Sequence, residues 1–284
     1  MTDILNIEGE PVFDDRIVKI ETHTYNPYAN TTFEHSDEIR IPIQQQDLYT
    51  LPYESFLYIE GKLKINKPAE GFDVVLGNNC VAFMFDEIRY ELDGVEIDRS
   101  RNVGITSTLK NYIQWRMPHV VLNEINKLSM LRALESGQYV SMGFRSWDLY
   151  EFPLLQRTTK HSWPIKTAIQ LEKPRYVIFV LQTGRKNVMS ENTSRFDDCK
   201  LINVKLYLNS ECYPYDDMNL DFDKNSWSIL YDTYQRFCKN ATVDVRLEFE
   251  CKENVPPNTT AYCLIIHDRV IQYNPLTNVV RKIT

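Results

Sequence analysis

The side chains able to do chemistry are spread along this chain rather than gathered into a motif. His23, His35, His119, His161 and His267 stand far apart, and none has the spacing that brings two imidazoles onto one metal. Three carboxylate pairs, Asp86-Glu87, Asp197-Asp198 and Asp216-Asp217, are adjacent in sequence. In extended chain such neighbours point to opposite faces and do not converge as acid and base. Asp217, Asn219, Asp221, Asp223 and Asn225 place an oxygen at every second position, as a calcium loop begins. Phe222 stands where that loop needs Gly, and Ser228 where it needs a bidentate Glu, so the segment reads as a polar loop. G-x-S-x-G, GxxxxGK[ST] and GxGxxG are missing. Trp115, Trp147, Trp163 and Trp227, with Tyr207, Tyr213 and Tyr215, have the makings of a ligand platform, but core packing is the simpler use. No residue is assigned a catalytic, cofactor-binding or metal-binding role, no cofactor is expected, and the chain reads as a non-enzyme.

The composition narrows the rest. With 284 residues the chain can fill one large domain or two small ones. Its 17 Tyr and 13 Phe against 9 Gly lean towards pleated sheet. A net charge of −7, with basic residues clustered only in pairs such as Arg185-Lys186 and Arg281-Lys282, gives no strong nucleic-acid signal. Cys80, Cys199, Cys212, Cys238, Cys251 and Cys263 share no CxxC spacing and read as small buried hydrophobes of a reducing compartment. The start MTDILNIEGEPVFDDR is acidic and carries no signal-peptide pattern, and no window approaches the roughly 18 apolar residues of a membrane span. A soluble, intracellular protein, cytoplasmic or nuclear, is expected.

The elements that must position these residues are mostly strands. Residues 1–36 read as an N-terminal arm. In EIRIPI, Ile39, Ile41 and Ile43 alternate as on a strand, with Pro42 suiting an edge or bulge. The run IRYELDGVEI is the strongest hairpin signal, with Asp93-Gly94 fitting a type I′ turn. Ser107 to Trp115 has helical spacing, with Thr106 or Ser107 as its cap. LNEINKLSMLRALESGQ, residues 122–138, is the most convincing helix: Leu122, Ile125, Leu128, Leu131 and Leu134 form an apolar stripe, Asn123 caps it and Gly137 ends it. The continuous run YVIFVLQ reads as a strand buried on both faces, while VKLYLN, TVDVRLEFEC and AYCLIIHDRVIQY add further strands.

A strand-turn pattern occurs twice, as FDEIRYELDGVEIDRS (Phe85–Ser100) and as CKLINVKLYLNSECYPY (Cys199–Tyr215), each followed by a Tyr-bearing helical stretch. Two tandem β-sandwiches of jelly-roll or Greek-key type follow from this order.

EIRIPIQQQDLYTLPYESFLYIEGKL, YELDGVEIDRSRN, SMGFRSWDLYEFPLL, VKLYLNSECYPYDDMNLDF and the ending AYCLIIHDRVIQYNPLTNVVRKI resemble the double jelly roll-like domain family. These are eukaryotic proteins related to the major capsid proteins of Polinton- and adintovirus-type elements. The resemblance implies a mainly β fold of two tandem antiparallel jelly rolls: a first roll at 37–121, a connecting helix at 122–138 and a second roll at 139–284. Members carry further strands where this chain runs straight through 113–115 and 238–241, so both rolls are expected to be trimmed there. The implied function is that of a capsid-like structural protein derived from an endogenous viral element. It would act by self-association, as a trimer in the viral relatives, and sit in a virion where the element is active. Thr22–Phe33 and Tyr273–Thr284 are the candidate contact regions. The alternatives are a host-domesticated module binding protein or glycan, and a jelly-roll enzyme built on inward-facing His and Glu.

Overall fold

The computed structural model describes residues 17–28, 37–44, 49–50, 52, 55, 57, 59, 76–110, 117–166, 174–186, 188, 190–208, 211–224 and 245–283. Contacts divide the chain into two units. One comprises Met1–Gly61 and Ile113–Tyr139, the other Lys62–Tyr112 and Val140–Thr284.

In the smaller unit, β1 (Ile17–His23) lies within the segment read as an arm. It pairs antiparallel with β5 (Met117–Leu122), which also pairs the two-residue β2 (Tyr49–Thr50), giving the order β1-β5-β2. Helix α2 (Glu124–Glu135) follows with the expected ends. The Asn123 side chain accepts from the Asn126 N–H at 2.9 Å, and Gly137 takes φ +83° to close the last turn. The expected apolar stripe is a correction. Only Leu134 is buried, while Ile125 and Leu128 are 80% and 52% exposed. Leu122 belongs to β5 and not to the helix. The alternation in EIRIPI also fails to make a strand. Residues 37–44 have no regular structure, and Pro42 removes one of the N–H groups a ladder would need.

The larger unit contains the expected hairpin, β3 (Glu87–Leu92) and β4 (Val95–Arg101). Asp93 and Gly94 both have positive φ, +48° and +76°, as a type I′ turn requires. The second copy of the duplicated pattern is also a hairpin, β9 (Leu201–Leu208) and β10 (Glu211–Tyr213). Helix α1 (Val103–Lys110) begins four residues before the expected Ser107. Asn102, at φ +48°, ends β4, and its carbonyl accepts from the Thr106 N–H. Thr106 therefore lies inside the helix, where its hydroxyl donates to the Arg101 carbonyl instead of capping.

The sandwich is built from two sheets. One has the order β10-β9-β11-β7, with β7 at Lys160–Lys166 and β11 at Val245–Cys251. The other is centred on β12 (Thr259–Asn274), which pairs β6 (Val140–Phe152) along one edge. Its other edge pairs first β8 (Pro174–Thr183) and then β13 (Val279–Ile283).

In β11 the sequence alternates because one face is buried. Val245, Leu247, Phe249 and Cys251 point to the core, and Arg246, Glu248 and Glu250 lie on the other face. They meet Leu181, Ala261, Cys263 and Ile265 of the second sheet. Phe152 against Trp163 (ring centroids 5.6 Å apart) and Phe179 against Phe249 (4.9 Å) bridge the two sheets. YVIFVLQ is half-buried to buried on both faces, as a continuous apolar run demands. The mainly β sandwich expected from the sequence is what the structure contains. The breaks at 113–115 and 238–241 lie outside the described residues.

Gly104 of α1 packs flat against Phe83, so a Cβ there would fall inside the aromatic ring. Gly104→Ala gains about 1 kcal/mol of helix propensity, whereas overpacking costs about 1–3 kcal/mol. The substitution is expected to destabilise the protein, measured as a lower urea midpoint with an unchanged slope.

Candidate functional site: a charged cluster and cleft beside β12

Among the described residues, those singled out in the sequence do not assemble into one site. Asp217 is held by Lys205 and Asn203, at 2.7 and 2.9 Å, and the two together hold its pKa below the usual carboxylate value. Asp221 and Asp223 face Lys224 and Lys252, at 3.5 and 3.3 Å. The carboxylates of Asp217, Asp221 and Asp223 are thus engaged by ammonium groups, as in a polar loop, while Asn225 lies outside the described residues. Among the described residues no group of three or more His, Cys, Asp or Glu is placed to hold a metal.

The adjacent carboxylates Asp197 and Asp198 turn to different partners. Asp197 pairs with Arg185 and accepts from the Thr183 N–H, while Asp198 accepts from the Lys200 N–H. Burial opposes ionisation of Asp197, but Arg185 and Thr183 outweigh it and lower the pKa. The aromatic platform is likewise dispersed. Trp163 is in the core, Trp147 lies on β6, Tyr215 is 85% exposed, and Trp115 and Trp227 fall outside the described residues. His161 stacks on Phe249, and His23 sits beside Glu21 in β1.

A different group of residues does converge, and motif spacing missed it. The β6–β12 register pairs Ser146 with His267 and Asp148 with Ile265, so Ser146, Asp148, His267 and Arg269 share one face. Asp98 of β4 joins them. Its Oδ1 accepts from the Ser146 hydroxyl at 2.5 Å and from Arg269 Nη1 at 3.2 Å. Arg269 Nη2 lies 3.8 Å from Asp148 Oδ2, and His267 Nε2 lies 3.2 Å from the same oxygen. Ser146 and His267 are buried and Asp98 is half-buried.

Burial pushes the Asp98 carboxyl above its ordinary pKa, opposed by Ser146 and Arg269 and reinforced by the nearby Asp148. Burial, then Asp148, pushes Tyr150 up to about 12. The only sequence signal was the pair S-x-D and H-x-R, polar residues at alternate positions of two strands. A second tie fastens the same hairpin, where the Tyr273 hydroxyl donates to Asp93 at 2.6 Å. Beside the cluster, a cleft of ≈ 330 Å³ is lined by Ile97 and Arg99 of β4, Phe144 of β6, Arg269 of β12 and Lys282 of β13, among others. Chemically this arrangement is an ionic and hydrogen-bonded fastening between hairpin and sheet.

Asp98→Ala leaves Arg269 and Ser146 short of a partner and is expected to cost about 1–3 kcal/mol, and Asp98→Asn less. Because the folded pKa of Asp98 is raised, its contribution is most favourable below the unfolded pKa and is lost as pH rises through the folded value. The stability difference between wild type and Asp98→Asn should therefore shift towards the wild type as pH falls from 7 to about 4. Urea titrations at each pH measure it.

No helix among the described residues is long and apolar enough to cross a membrane. No curated protein matches the chain. The double jelly roll-like domain family matches it in three segments, 74–114, 112–241 and 238–271. Both abutments between segments, at 112–114 and 238–241, fall where strands were expected to be missing. With a match that runs from 74 to 271 over a sandwich of antiparallel sheets, the chain belongs to the double jelly roll-like domain family.

Proposed function

We propose that this chain is a non-enzymatic, capsid-like structural protein that acts by self-association and descends from the coat protein of a Polinton-type or related DNA element. The observation that carries this reading is the fastening of β3–β4, from the first half of the sequence, to the β6–β12 sheet of the second half. A building block must transmit contact forces without internal slippage. Ionic and hydrogen-bonded ties from a hairpin to a central strand supply that stiffness.

Family membership supports the reading further, since double jelly rolls are typically structural. In the viral relatives, two rolls side by side give each subunit a pseudo-sixfold outline, and three subunits make a near-hexagonal tile. A stable contact of this kind buries roughly 1,200 Å² or more. The same reading makes the protein soluble inside the cell, or part of a virion. The three-segment match supports trimming of both rolls.

One feature favours a second reading, a host-domesticated module that binds protein or glycan. It is the cleft between β4 and β13, of a size that admits a small ligand or a short peptide.

Sedimentation velocity over a wide concentration range separates the two readings. The structural reading expects reversible association towards a trimer, visible as tiles by negative-stain microscopy. A strict monomer at the highest attainable concentration would overturn it and leave the binding module.

A further inference from the structure

Helix α2 turns an apolar patch outward. Ile125, Leu128 and Leu131 are 80%, 52% and 36% exposed, and helical steps place them within about 120° of one another. Glu124 and Arg132 are exposed on the same side, the first four residues before Leu128 and the second four after it. Two rows therefore cross at Leu128, an apolar row at spacing three and a charged row at spacing four. Leu134, the buried residue of α2, lies off that side. Among the described residues neither the Glu124 nor the Arg132 side chain has an ion pair or hydrogen bond.

A partner that covers the three apolar side chains must also meet one carboxylate and one guanidinium. A surface of either sign alone would repel one of them. The same face of a second copy repels neither when the two helices run antiparallel about a twofold axis at Leu128. Leu128 then meets Leu128, and Glu124 of each copy lies level with Arg132 of the other, within reach of these long side chains. Parallel pairing would set each charge against its own kind.

Other antiparallel registers fit less well. With Leu128 level with Leu131, Glu124 faces Glu135 and Lys127 faces Arg132. Centring on Leu131 pairs Lys127 with Glu135 but turns towards the buried Leu134 and leaves out Ile125, the most exposed of the row.

We infer that α2 is a docking surface for α2 of a second copy, packed antiparallel about a twofold axis at Leu128, with Glu124 of each copy against Arg132 of the other. The helix face is about 18 Å long and 10 Å wide, short of the roughly 1,200 Å² of a stable interface, so the contact is weak and forms at high protein concentration. A twofold contact closes as a pair. It is therefore separate from the threefold association proposed above, and it would link two trimers as readily as two single chains.

Sedimentation velocity of the full-length chain at low ionic strength tests it, the readout being the dimer or the doubling of a trimer. Leu128→Asp should abolish that species. Glu124→Arg and Arg132→Glu each bring like charges together twice in the pair, and each is expected to weaken it about tenfold. An equimolar mixture of these two variants restores opposite charges at both contacts and should pair with near-wild-type affinity, a recovery that unfolded variants could not give. Pairing unchanged in Leu128→Asp, or not recovered on mixing, overturns the contact. So does a lower urea midpoint in Leu128→Asp with pairing intact, which would place this face against the rest of the chain. Trimers that persist in Leu128→Asp while the pair is lost leave the threefold reading standing, and a wild type that never pairs overturns this contact alone if trimers form.

Discussion

Strand β12 is the constraint on which the larger unit depends. Its 16 residues span about 50 Å and pair along both edges, with β6 over Ala261–Tyr273 and with β8 and β13 in succession. It is also buried on both faces in its first half. Ala261, Cys263 and Ile265 enter the sandwich core, while Tyr262, Leu264 and Ile266 on the opposite face are buried as well. A strand in that position must be apolar at every residue, and AYCLII is. Burial pushes the Cys263 thiol and the Tyr262 phenol far up in pKa, so neither ionises at physiological pH. These side chains serve packing.

Past Ile266 the same strand changes character. His267 and Arg269 follow on the face that carried Cys263 and Ile265, and Ser146 and Asp148 accompany them on β6. The sandwich core gives way there to a polar contact with β4. Two carboxylates, Asp98 and Asp148, flank one guanidinium, one negative charge more than it balances. Such a cluster adds little net stability over an apolar substitute. What it provides is orientation, because Ser146 and Arg269 both bond one oxygen of Asp98 and fix where β4 crosses the sheet. An apolar contact of similar area would tolerate sliding, and a charge pair does not.

Legibility from the sequence followed from how local each determinant is. The β3–β4 hairpin was readable because Asp93-Gly94 encodes its own turn, and the ends of α2 were readable because Asn123 and Gly137 act within one helical turn. The apolar stripe of α2 misled for a geometric reason. Spacing of three residues falls about 60° short of a full turn at each step, so Leu122, Ile125, Leu128, Leu131 and Leu134 fan over about 240° rather than sharing a face. Only a mixture of three- and four-residue steps makes a buried stripe. The cluster around Asp98 was illegible for the opposite reason. Its members lie 48 and 171 residues apart, and no spacing rule joins them before the β6–β12 register is known.

The same architecture explains why this sandwich does not depend on wide sheets. Among the described residues one sheet is four strands wide, while the other is three wide, with β8 and β13 sharing an edge of β12. The narrower sheet still gives β12 a neighbour on each side and buries its first half on both faces, so the most apolar strand loses nothing. A missing strand is felt at the periphery, where backbone N–H and C=O groups are left for another chain to meet. Hydrophobic burial holds this fold from the centre outward, so losses at its rim alter which surfaces are open more than they alter whether the core forms. Changes on edge strands such as β13 would therefore alter the exposed surface before they unsettle the core.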